Sequence, residues 1–343
     1  MIAENELLFA LARKDFKPEH QTSVFELCCK AEIKWDILFL TALQHQVAPF
    51  VCSNLSKCPQ LISKVPPKTL KEFKFNILQI YCYQKKQEKD IVTALSNFNR
   101  KSVDVMLVKG AALNFTIYQN IPGYIIGDID LILRNKRQDV TNQEDQEDIN
   151  FFQGLNINEW ERFKHHDIDM NGLLPIDFEK IWNRAIETTF WGQKVFVMSP
   201  EDMLLAACIN SCRKRFFRLK SLCDIREVIN YYKDLNWDKF TQNVREYHCD
   251  SIVYTSLLVT SMTVGCELPK EVFNKLSISF FRTPVIRHLI GYLRNNIPLA
   301  FLLPSSGVTI WRRNVNPSLL LIFATYSWFQ IFRKFRLALS AMP

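Results

Sequence analysis

The chain has 343 residues, 48% hydrophobic and 23% charged, which is enough for a sizeable globular core and room for two subdomains. Nine glycines are few for this length, and no Gly-rich phosphate loop or GxGxxG run occurs, which excludes Walker and Rossmann nucleotide sites at the level of motif. The formal charge of +8 suits a polyanionic ligand. Ten scattered cysteines with no CxxC pair and no secretory leader point to free, packed thiols in a cytoplasmic protein, not to zinc or disulfides.

Residues 1–60 carry short apolar stretches at helical spacing, such as Leu7, Leu8 and Leu11, then Val24, Leu27 and Cys28. The longest helical pattern covers 68–100, where Leu70, Phe73, Ile77 and Tyr81, then Ile91, Leu95 and Phe98, recur every three to four residues. Val105 to Val108 reads as a short buried strand ended by Gly110, and Ala111 to Tyr118 as a helix. Pro122 and Gly123 mark the turn before an apolar run at 127–133. The acidic stretch 137–149 is expected at the surface. His165 to Met170 alternates like another strand, with Asp167 and Asp169 on one face, and Lys194 to Val197 like a further one.

From Ser199 the chain reads as helices. Ser199 is placed as an N-cap, with Pro200 in the first turn and Glu201 and Asp202 next. Further helices are expected over 219–233, 237–247, 250–264 and 284–295. Basic residues crowd at Arg213, Lys214, Arg215, Arg218 and Lys220, either to meet a polyanion or as a solvated helix face. Residues 319–332 are strongly apolar but shorter than the roughly 20 residues a spanning helix needs. With Arg333, Lys334 and Arg336 following, they either dock on the core or lie on a membrane surface.

The chemistry concentrates in Gly127-Asp128-Ile129-Asp130-Leu131-Ile132-Leu133. On a strand Asp128, Asp130 and Ile132 point one way, and Ile129, Leu131 and Leu133 the other. Two residues of rise are roughly 6.6 Å, close enough for both carboxylates to converge on one cation. Like charges at that range repel unless something positive lies between them, and Mg²⁺ takes carboxylate and phosphate oxygens together. Gly110 permits close approach of a phosphate to backbone, and Lys109 adds positive charge or is a solvated strand end.

These elements resemble the DNA polymerase beta-like nucleotidyltransferase superfamily, and within it an uncharacterised bacterial nucleotidyltransferase family. The matching residues are Leu107-Val108-Lys109-Gly110-Ala111-Ala112, Gly127-Asp128-Ile129-Asp130-Leu131 and Ile168-Asp169-Met170. The likeness runs from about residue 100 to 235 and includes Ile181-Trp182-Asn183-Arg184-Ala185 and Leu219-Lys220-Ser221-Leu222-Cys223-Asp224-Ile225. Two departures stand out. Asn171-Gly172 replaces the family's His-Trp, and Gly-Ala replaces the Gly-Ser of compact superfamily members.

The resemblance implies an α+β fold: a small mixed nucleotidyltransferase-type sheet (101–198) after an N-terminal helical segment (1–100) and before a C-terminal helical domain (199–343). It implies an enzyme that transfers a nucleoside monophosphate from an NTP, ATP by superfamily habit, to a peptide, small-molecule or RNA acceptor. Asp128, Asp130 and Asp169 would be the catalytic carboxylates and hold Mg²⁺ or Mn²⁺, with Asp167 the rival for the third position. Lys109, Gly110, Ala111, Arg218 and Lys220 would meet the nucleotide. The alternative is a nucleotide- or RNA-binding protein that keeps the fold without turnover. Asp177 is expected to cap a helix and Asp224 to pair with Lys220 four residues earlier.

Overall fold

The computed structural model describes residues 3–276 except 120, 122–123, 125–128, 136–162, 166–167, 171–172, 215 and 217, together with 284 and 286–287. Six helices come first: α1 (Ala3–Leu11), α2 (Pro18–Lys30), α3 (Trp35–Gln44), α4 (Ala48–Ser56), α5 (Pro59–Ile62) and α6 (Pro67–Arg100). The αβ centre holds β1 (Val103–Leu107), α7 (Lys109–Thr116), β2 (Ile129–Asn135), β3 (Phe163–His165), α8 (Phe178–Arg184), β4 (Ile186–Phe190) and β5 (Gln193–Val197). Then follow α9 (Pro200–Arg213), α10 (Leu219–Tyr231), α11 (Trp237–Glu246), α12 (Asp250–Val264) and α13 (Lys270–Lys275). The class is α+β, as the sequence implied.

The sheet runs β3-β2-β1-β5-β4. β1 pairs antiparallel with β2 and parallel with β5, β3 lies parallel to β2, and β4 and β5 form an antiparallel hairpin. β1 is central and buried along its length, so its one charged residue, Asp104, needs a partner and takes Arg134 of β2 at 3.3 Å. The β4–β5 turn uses left-handed residues at Trp191 and Gly192, φ +44° and +76°, as a two-residue hairpin turn requires.

Buried polar contacts fix the helical half to its neighbours. Ser199 accepts the Asp202 N–H as N-cap of α9. Asp202, with a fully buried side chain, takes both forks of Arg184 at 2.8 Å and the Ser199 hydroxyl at 2.9 Å. Arg184 ends α8, so this pair docks the sheet layer onto α9. At the other side, the buried guanidinium of Arg226 on α10 donates to the Ala12 carbonyl at 2.6 Å and to the Val264 carbonyl at 3.1 Å. The chain just after α1 is thereby tied to α10 and α12.

His45, at the end of α3, also acts on α10. Its Nδ1 accepts the Leu219 N–H at 3.2 Å, and its carbonyl accepts the Lys220 N–H at 3.2 Å. Two of the donors left open at a helix start are thus satisfied from the N-terminal segment. All ten cysteines are free, seven of them buried. Among the described residues no helix is long and apolar enough to cross a membrane.

Candidate active site

β1 passes into α7 through one strained residue. Lys109 has φ +51°, in the left-handed region that residues with a Cβ seldom enter. Val108 before it is still extended, and its N–H donates to the Asp130 carbonyl at 3.1 Å, so strand pairing persists up to the bend. The bend delivers the Lys109 side chain to Asp130: Nζ lies 2.9 Å from Oδ1, with 7% and 19% of the two side chains exposed. Such strain persists only where the surroundings hold it, and it gathers at functional sites.

Gly110 follows. A Cβ built on it meets no atom within 4 Å, so packing does not demand glycine there. The open space lies against the first turn of α7, where the N–H groups of the opening residues, Gly110 and Ala111 among them, have few or no carbonyls of their own helix to bond.

Alternation along β2 decides which face carries the carboxylate. Leu131 pairs with Leu107 and is fully buried, while Asp130 turns to the opposite face with Ile132 and Arg134. A cavity of about 670 Å³ is lined by Leu107, Val197, Trp191 and Tyr231 and so lies on the face away from Asp130. A smaller one, about 40 Å³, sits between the start of α7 and the helices α9 and α10, bounded by Lys109, Gly110, Asn210, Lys220 and Asp224.

The junction of α9 and α10 carries cations that feel the Asp130 charge. Burial lowers the pKa of Arg213, and the Asp130 charge opposes that shift. Lys214 is lowered first by burial and then by Arg213, Arg218 and Lys109, again with Asp130 opposing. Arg213 and Lys214 therefore both feel the Asp130 charge, and Lys214 also the like charges of Arg213, Arg218 and Lys109. A polyanion entering this cleft would relieve their mutual repulsion. Of the basic crowd, Arg215 lies outside the described residues.

Lys220 is held differently. Its Nζ donates to Asp224 Oδ2 at 3.1 Å, the i, i+4 pair expected from the sequence, and to the Tyr124 hydroxyl at 2.7 Å. Asp224 Oδ1 in turn accepts the hydroxyls of Tyr118 and Tyr124 at 2.9 and 3.0 Å. Burial, then the Asp224 charge, pushes both phenols well above their usual range, so they remain hydroxyl donors.

The third carboxylate differs from expectation in its setting. Asp169 does not stand on a strand: β3 covers Phe163–His165, and 168–170 form a turn. Met170, at φ +56°, reverses the chain so that the Asp169 carbonyl accepts the Leu174 N–H at 2.9 Å, which ends strand alternation. The Asp169 residue is partly exposed in that turn. Asp128 immediately precedes β2 and lies outside the described residues, as do His166, Asp167 and Asn171-Gly172. Asp177 caps α8, accepting the Lys180 N–H at 3.1 Å.

Among the described residues no three His, Cys, Asp or Glu side chains gather as a metal-holding group. Asp130, well shielded and with one oxygen on Lys109, is an oxygen donor of the kind a hard divalent ion takes. Sequence reading named Arg213 and Lys214 only as part of a basic crowd, although their place at a helix end before Arg218 was a usable signal. Nothing in the sequence pointed to Tyr118 and Tyr124.

Comparison with known proteins gives one match. The profile of a family described as uncharacterised nucleotidyltransferase matches residues 31–144 and 164–265, well over half of the chain. No curated protein and no solved structure matches.

Proposed function

Because this chain belongs to the uncharacterised nucleotidyltransferase family, we propose that it transfers a nucleoside monophosphate from an NTP to a hydroxyl-type acceptor in the cleft between Asp130 and the α9–α10 junction. The acceptor oxygen bonds to the α-phosphorus, the bond from that phosphorus to the bridging oxygen breaks, and pyrophosphate leaves. ATP is the expected donor. The observation that carries this reading is the strained Lys109 brought onto Asp130, whose charge Arg213 and Lys214 also feel.

The first-turn N–H groups at Gly110 and Ala111 suit phosphate oxygens, and the space a Cβ of Gly110 would occupy is open. Lys109, Arg213, Lys214 and Arg218 offset the charge of the polyphosphate tail as it departs. Asp130, with Asp128 and Asp169, would hold Mg²⁺ or Mn²⁺, which when bound supplies Lewis-acid neutralisation of the triphosphate. A carboxylate freed of its Lys109 contact can take the proton of the acceptor hydroxyl.

The test is calorimetry with a non-hydrolysable ATP analogue, with and without Mg²⁺, together with turnover of α-phosphate-labelled ATP. Tighter binding with Mg²⁺, and label transfer abolished by Asp130→Asn in a folded protein, are expected. Equal affinity in both conditions would sink the metal-assisted reading. One observation favours a second reading, a nucleotide-binding protein without turnover: Asp130 is already neutralised by Lys109. Binding of the analogue with no label transfer to any acceptor offered would favour it.

A further inference from the structure

We infer that Asp224, Tyr118 and Tyr124 are positioning residues that hold Lys220 as a fixed donor to the terminal phosphates of the bound nucleotide. The inference rests on the nucleotidyltransferase reading above and adds how one of its cations is prepared. An ammonium has three N–H donors. Asp224 and the Tyr124 hydroxyl take two, at 3.1 and 2.7 Å, and Lys220 borders the small cavity beside Lys109 and Gly110, where the third can reach an incoming oxygen.

The surroundings remove the freedom a lysine normally has. Its side chain is 12% exposed and lies over the Tyr124 ring at 4.3 Å, and its own backbone N–H is bonded to the His45 carbonyl. Asp224 is 7% exposed and receives two phenol hydroxyls on one oxygen. Those rings are stacked with centroids 4.1 Å apart, and Tyr118 stands just past the end of α7, the helix that starts at Lys109. The clamp thus ties the end of α7 to the Lys220 turn of α10. A buried ion pair serving stability alone has no need to face a cavity, and a donor fixed before binding loses little rotamer entropy when the ligand arrives.

The experiment is calorimetric binding of inorganic tripolyphosphate to the full chain, a probe that requires neither base nor turnover. Lys220→Met should weaken binding on the order of 10- to 100-fold, as loss of a charged hydrogen bond does. Tyr124→Phe, which leaves the Lys220–Asp224 pair in place, should weaken it roughly 3- to 10-fold. If Lys220→Met does not fold, Tyr124→Phe decides. Unchanged affinity in a folded Lys220→Met or in Tyr124→Phe, whatever the melting temperature does, overturns the inference while leaving the proposed function standing. No tripolyphosphate binding by the wild type overturns both.

Discussion

Lys109 reaches Asp130 at 2.9 Å across 21 residues of sequence, and it does so from a backbone conformation that a lysine rarely adopts. The pair joins the first residue of α7 to the second residue of β2. Both side chains are well shielded, so their attraction is screened less than that of a surface pair. Lys109→Met should remove a cation from the cleft and leave Asp130 without its counter-ion. Analogue binding in the absence of Mg²⁺ should weaken by roughly 10-fold or more. Unchanged metal-free affinity would show that Lys109 serves Asp130 and not the nucleotide.

Gly110 separates binding from packing. Because a Cβ there meets no protein atom, Gly110→Ala should fold, and a helix with alanine in place of glycine should gain up to about 1 kcal/mol. The same methyl group fills space the nucleotide needs, so affinity should fall although stability does not. Denaturant melts alongside calorimetry check this. A variant that binds as tightly as wild type would move the phosphate site elsewhere.

His45 makes the fold acid-sensitive. Burial lowers its pKa from 6.5 to about 4, and its neutral ring accepts the Leu219 N–H. Between those values the unfolded chain binds the proton and the folded one resists it, so this contribution to stability is full above pH 6.5 and falls as the pH drops toward 4. The loss by pH 5 should be about 2 kcal/mol. His45→Asn keeps an acceptor without titrating there and should flatten the stability profile between pH 7 and 5. Parallel profiles for the two proteins would assign the acid sensitivity to other groups.

Arg184 carries the junction between α8 and α9. Its removal strands the fully buried Asp202 carboxylate, which would keep only Ser199 and, at 3.3 Å, Asn243. Arg184→Ala should therefore cost about 3–5 kcal/mol, the usual penalty for an uncompensated buried charge. Arg184→Lys should recover part of it but not the two-pronged geometry. Urea unfolding measures both. A loss under 1 kcal/mol for the alanine variant would mean that solvent reaches Asp202 once the guanidinium is gone.

Much of the architecture was written in local pattern. Helices expected over 68–100, 219–233, 237–247 and 250–264 form at Pro67–Arg100, Leu219–Tyr231, Trp237–Glu246 and Asp250–Val264, because their apolar spacing and punctuation are local signals. The helix expected over 284–295 lies largely outside the described residues. β4 went unread because four of its five residues are exposed and give no apolar alternation, and its hairpin turn places a tryptophan where glycine or asparagine is the usual sign. The strand expected through Asp169 stops earlier, since a left-handed residue at Met170 is set by tertiary surroundings and leaves no mark in alternation.

By itself the sequence determined the α+β class, the family and the face of β2 on which Asp130 stands, because periodicity and short motifs follow from backbone geometry within a few residues. Only the tertiary structure decided which charges meet. Lys109 with Asp130, Arg184 with Asp202, and Tyr118 and Tyr124 with Asp224 are separated by 18 to 106 residues. Ion pairs and buried hydrogen bonds form where packing brings partners within about 3 Å, and that distance depends on how β1, α7, α9 and α10 come together in space.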